Sequence, residues 1–154
     1  MTISSTTRKA GPYPGSGSAD TFPFAFKVFT TEDLKVVRFE ETTSTETVLA
    51  LTTDYTVVLN ADQNSNPGGS ITLTAGNLAS GYTLTLTSDV EALQETDLTN
   101  QGGFYPEVIN DALDKSIIQI QQLTDAVNRS IKLSTTNVIG STEFTENAAS
   151  RASK

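Results

Sequence analysis

The stretch NQGGFYPEVINDALDKSIIQIQQLTDAVNRSIKL, Asn100–Leu133, decides how the rest of the chain is read. Ile109, Leu113, Ile117, Ile120, Leu123, Val127 and Ile131 follow one another at steps of four, four, three, three, four and four residues. That recurrence puts them on one face of a helix. The remainder is mostly polar, including Asn110, Asp111, Asp114, Lys115, Gln119, Gln121, Gln122, Asp125, Asn128 and Arg129. Pro106 suits a first helical position, where its missing N–H costs nothing. Gly102 and Gly103 ahead of it permit a sharp change of direction. Tyr105 is a poor N-cap, which leaves Thr99 and Asn100 as candidates. Acids come early (Glu107, Asp111, Asp114) and bases late (Arg129, Lys132), as the helix dipole favours.

A helix with one apolar stripe must bury it against something. No other stretch reads as a second long helix, so the stripe is expected to meet a partner, most simply other copies of the same chain. The competing expectation is that it packs on its own domain. The mean step is about 3.7 residues, which predicts nearly straight helices rather than a tight left-handed supercoil. Ile and Leu at the core-facing positions favour three or more strands over two.

Upstream of the helix the period changes to two. In Thr21–Val28, Phe22, Phe24, Phe26 and Val28 share one face and Thr21, Pro23, Ala25 and Lys27 the other, the pattern of a half-buried strand. Pro23 cannot donate to a ladder, which predicts an edge position. Further strands are expected at Asp33–Glu40, Val48–Leu51, Tyr55–Leu59, Ser70–Thr74 and Tyr82–Ser88, with a polar hairpin connection over Thr42–Thr47. Tyr55, Val57, Leu59, Ile71, Leu73, Leu84 and Leu86 should point inward. Asn66-Pro67-Gly68-Gly69 has the composition of a type II turn. Many short strands with no helix between them predict a mainly β fold, an antiparallel β-sandwich followed by a long C-terminal α-helix that trimerises. The expected division is a flexible N-terminal arm (1–19), a sandwich docking domain (20–88), an acidic linker (89–105), a trimerisation helix (106–133) and a polar extension (134–154).

Composition narrows the chemistry. The 154 residues include no Cys, no His and no Trp, 36% are apolar, and the formal net charge is −8. Lacking Cys, the chain has no disulfide framework, thiolate nucleophile or cysteine zinc site. Lacking His, it has neither the usual general base near neutral pH nor the commonest metal ligand. The negative charge argues against nucleic acid, which requires clustered Lys and Arg. No run is long and apolar enough to span a membrane, and the N-terminus has no apolar signal-peptide core. The expectation is a soluble protein made in a cytoplasm.

Candidate sites are few. Asp62-Gln63-Asn64-Ser65-Asn66-Pro67-Gly68 opens like a calcium loop, but Pro67 stands at the sixth position and Leu73 at the twelfth, so a polar hairpin loop is the better reading. Asp89, Glu91, Glu95 and Asp97 read as a solvated acidic linker, since a glycosidase needs two carboxyls at a set separation across a cleft. Gly102–Gly103 is too short for a phosphate loop. Asn128-Arg129-Ser130 fits the glycosylation tripeptide but falls within the helix. No catalytic constellation emerges, and no enzyme activity, metal or cofactor is expected. Phe22, Phe24 and Phe26, with Phe29, read as core, or as a docking patch where they stay exposed. Tyr13, set between Pro12 and Pro14, is the better docking candidate.

Taken in order, the Gly/Pro arm, TFPFAFKVFTTEDLKVVRF, TDYTVVLNADQNSNPGGSITLT and ASGYTLTLTSDVEALQETDLTNQGGFYPEVINDALDKSIIQIQQL closely resemble the N-terminal virion-binding domain of bacteriophage tail fibre and tailspike proteins. The type example is the tail fibre of T-seven-like short-tailed phages. The resemblance covers about Pro14 to Leu133 and is most specific in Phe22–Phe26, Thr53–Val57 and Leu98–Leu123. It implies a homotrimeric structural protein of the virion, attached to the adaptor and nozzle proteins of the tail. In the family, the receptor-binding or polysaccharide-cleaving part lies further C-terminal. Two expectations stay open, the anchor of a longer fibre and a short adaptor that recruits a separate spike. The alternative function is a carbohydrate-binding or polysaccharide-depolymerase tailspike module; the absence of a Trp platform and of a convergent acid pair argues against it.

Overall fold

The computed structural model describes Ile3, residues 5–94, Thr96 and residues 105–131. Seven strands form two antiparallel sheets: β1 (Lys9–Pro14), β2 (Thr21–Phe24), β3 (Leu34–Glu40), β4 (Thr45–Val48), β5 (Tyr55–Leu59), β6 (Gly69–Leu73) and β7 (Tyr82–Ser88). Among the described residues a single 3-10 turn, Thr31–Asp33, leads into β3, and one helix, α1 (Pro106–Asn128), follows the strands. One sheet has the order β1-β7-β3-β4 and the other β2-β6-β5.

The inward-facing residues of both sheets share one core, with Ile71, Val36, Leu84 and Leu86 fully enclosed. This is the expected sandwich. Pro23 lies on β2, an edge strand as its missing N–H requires. Two tyrosines tie the sheets together across the core. Tyr55 of β5 donates its hydroxyl to the carbonyl of Leu34 at 3.0 Å. Tyr13 of β1 donates to the carbonyl of Pro23 on β2.

Three sequence expectations change. The expected flexible arm contains a strand: β1 pairs with β7 from Lys9↔Thr87 to Pro14↔Thr83. Central β7 carries Leu84 and Leu86, both fully buried, and β1 covers its second edge with Ala10 and Tyr13 packed on the core. The register slips between Ala10 and Tyr13, where Gly11 adopts φ +95°. A Cβ there would stand 2.6 Å from the carbonyl oxygen of Leu84, so only glycine fits the bulge.

The second change is in the hairpin after β3. It closes at Glu40↔Thr45, so the following strand is Thr45–Val48 and not Val48–Leu51. Hydroxyls of Thr42 and Thr43 donate to the Glu40 carboxylate at 3.1 and 2.9 Å and draw the turn tight. These bonds hold the Glu40 carboxyl below its ordinary pKa.

The third is the first predicted strand, which stops at Phe24, paired with Gly69 where β6 begins. Phe26 and Val28 still point into the core without a ladder partner.

Candidate functional site, a helix with one docked and one open face

α1 begins at Pro106, as predicted, behind an extended Tyr105 that supplies no side-chain cap. Thr99 and Asn100 lie outside the described residues. The helix ends at Asn128, and Arg129 closes it by donating its backbone N–H to Asp125. Ile131, the last residue of the predicted stripe, is therefore beyond the helix and 83% exposed.

The face that α1 turns to its own sandwich is the polar one. Asp111, Asp114, Ile118 and Gln122 recur at steps of three, four and four. Of the helix residues only Asp114 and Ile118 are fully buried. Asp114 meets Lys27 at 2.9 Å, and Asp111 meets the same ammonium at 3.0 Å. Asn64 accepts the third Lys27 proton at 2.7 Å, so every ammonium donor is satisfied. Burial by itself would lower the Lys27 pKa, but the hydrogen bonds and charges of Asp114 and Asp111 outweigh it and hold it above its ordinary value. Arg8 stands alongside, donating from Nη1 to the Lys27 carbonyl at 2.9 Å and lying over the Phe26 ring. Burial lowers the Arg8 pKa, against the opposing pull of Asp114.

Glutamines hold the rest of this face. Gln122 Oε1 accepts from the Ser88 hydroxyl at 2.7 Å and from the Val90 N–H at 2.9 Å. Its Nε2 donates back to the Val90 carbonyl at 3.1 Å. Gln119 donates to the Glu91 carbonyl at 2.8 Å, and Gln121 to the Ser5 carbonyl at 3.1 Å. The N–H of Ile3 reaches Asp114 Oδ1 at 3.3 Å. The N-terminal segment and the segment after β7 thus both clasp the helix.

The opposite face is the predicted stripe, and it is open. Leu113, Ile117, Ile120, Leu123 and Val127 are 44–65% exposed. Ile109 is half-buried. The charged residues between Asn110 and Asn128 lie off the stripe, with the side chains of Asp111 and Asp125 42% and 47% exposed at its margins. An apolar stripe of this length on a chain of net charge −8 is built to be covered.

The other candidates have structural roles. Phe22, Phe24 and Phe26 are at most 5% exposed and belong to the core, so they present no docking patch on this chain. Tyr13 is half-buried, with its ring 5.4 Å from that of Phe22. In the 62–68 loop, Asp62 accepts from the Asn64 and Ser65 N–H groups and the Ser65 hydroxyl. Gln63 spans the loop to Gly68. Those bonds account for the oxygen-rich composition as a turn. Asp89 faces Lys35 at 4.0 Å, while Glu95 and Asp97 lie outside the described residues. Among the described residues no cluster of acids is placed to hold a metal.

Sequence reasoning missed Lys27 and Ile118. Lys27 alternates with the Phe residues and reads as solvent-facing, but α1 lies over it. Ile118 stands alone on a polar stripe, which reads as the wet side of an amphipathic helix. The available signal was the second recurrence, Asp111, Asp114, Ile118, Gln122, paired with a lone Lys beside an aromatic strand.

The fold and this site define a β-sandwich that carries a helix docked by its polar face with its apolar face free. A chain similar over most of this length is the tail spike protein of Salmonella phage epsilon15, 37% identical over 123 residues, which is 80% of this chain and 11% of that protein. The chain is thus related to a phage tail component, and spans about a ninth of the length of the relative it matches. No family model matches it. Among the described residues no helix is long and apolar enough to cross a membrane.

Proposed function

We propose that this chain is a structural anchor of a phage tail fibre or tailspike, a homotrimer that attaches the receptor-binding apparatus to adaptor and nozzle proteins of the tail. The observation that carries the reading is the open stripe from Leu113 to Val127, which the sandwich leaves uncovered because it holds the polar face instead. Three copies of the stripe would bury one another in a short helical bundle, with each sandwich outside it. Joined in this way, three weak docking surfaces bind a tail together with far greater strength than one. The role is positional and requires no turnover. The relationship to a tail spike protein and the resemblance to T-seven-like fibres both favour it.

The test is light scattering across the size-exclusion peak of the full chain, beside an Ile120→Asp variant. The expected result is a trimer for the unaltered chain and a monomer with an unchanged far-ultraviolet spectrum for the variant. A monomeric unaltered chain at all concentrations would overturn the reading. Shortening the chain at Ser88 is a poorer test, because it strips the carboxylates from Lys27.

A further inference from the structure

We infer that the surface on which copies of this chain meet is composite, made of the α1 stripe and of Leu93 in the segment that follows β7. The inference rests on the proposed self-association and adds a site that the helix pattern does not contain.

Residues 89–94 run alongside α1 from Gln122 back towards Ile109. Gln122 brackets Val90 through both its N–H and its carbonyl, and Gln119 holds the carbonyl of Glu91. Past these fastenings the chain turns, with the Leu93 N–H donating to the Glu91 carbonyl at 2.9 Å. Leu93 is left 53% exposed beside the helix, although Val90, three residues earlier, is buried. Between segment and helix lies an open groove of about 560 Å³, whose apolar lining comes from Ala92, Leu93, Ile109, Ala112 and Leu113, and whose polar lining includes Lys115, Ser116 and Gln119. The groove is continuous with the stripe, since Ile109 and Leu113 belong to both.

The occupant that fits is an apolar side chain from α1 of a second copy. Identical copies repeat the same net charge of −8, so they approach each other most readily through an apolar surface. The exposed stripe from Leu113 to Val127 is such a surface, and Leu93 extends it sideways. A foreign partner recognised by charge would instead find its target in the carboxylates elsewhere on the surface. Leu93 widens a stripe one side chain across into a shallow trough, which gives the neighbouring helix a wall on its flank as well as a floor.

Sedimentation equilibrium of the full chain, of Leu93→Glu and of Ile120→Asp tests this. Leu93→Glu should weaken association at least tenfold and leave the thermal melting of the monomer unchanged, since the residue is exposed. Hydrogen exchange at residues 92–94 should slow as concentration rises, in step with residues 113–127. A Leu93→Glu chain that associates as tightly as the unaltered one, with exchange at 92–94 independent of concentration, would overturn the composite surface and leave the helix-mediated trimer standing. An unaltered chain that stays monomeric would overturn both.

Discussion

On one side α1 meets Lys27, Ser88 and Val90 through carboxylates and glutamine amides; on the other Leu113, Ile117, Ile120 and Leu123 meet water. The usual division of an amphipathic helix, apolar face in and polar face out, is reversed with respect to its own domain. The reversal separates two tasks. Hydrogen bonds and ion pairs are directional, so the docked face sets how the helix sits on the sandwich. Apolar attraction is non-directional and scales with area, so the open face supplies adhesion to whatever complementary surface arrives. A helix docked the other way would be more stable as a monomer and would have nothing left to offer a neighbour.

The sharpest way to break the docked side is at Asp114. Asp114→Ala leaves the Lys27 ammonium buried with half its carboxylate support gone, which should cost about 3 kcal/mol or more of unfolding free energy in urea. Asp111 is 42% exposed at its side chain, and Asp111→Ala should cost under about 1 kcal/mol. The double variant Lys27→Met with Asp114→Leu should recover much of the loss, since removing both charges leaves neither unpaired. Equal effects at Asp114 and Asp111 would mean that water reaches Lys27 and that the docked face is looser than the geometry implies.

Alkaline titration sharpens the same contrast. Burial, reinforced by the charge of Asp54, raises the Tyr55 phenol, and the carboxylates of Asp114 and Asp111 raise Lys27 against its burial. In each case the folded pKa lies above the unfolded one, so the protonated form favours folding. The stabilisation is fully present below about pH 10 and is lost as pH climbs through the folded values. Thermal melting followed from pH 8 upward should therefore fall beyond about pH 10. In Asp114→Asn the Lys27 share of that fall should shrink and the Tyr55 share remain.

A small effect is also expected at the far edge of the sandwich. Tyr13→Phe removes the hydroxyl that reaches Pro23 between the two sheets but keeps the ring against Phe22. A loss of about 1 kcal/mol is expected, with no change in association state. Altered association would give Tyr13 a part in assembly after all.

Much of this protein is determined by local periodicity. Two-residue alternation in Tyr55–Leu59 and Tyr82–Ser88 is enough to place β5 and β7, because alternate side chains of a strand face opposite sides. The spacing from Ile109 to Val127 and the helix-starting Pro106 are enough for α1 and for the stripe. Periodicity states which residues share a face, but not what that face touches. The polar side of α1 docks through Lys27, a buried cation brought beneath Asp111 and Asp114 from more than eighty residues away, and through Gln122 on the segment after β7. The N-terminal segment likewise reads as a loose arm until β7 offers it an unpaired edge. Both outcomes turn on the cost of leaving a charge or a backbone group unpartnered, which depends on neighbours that only the folded chain brings together.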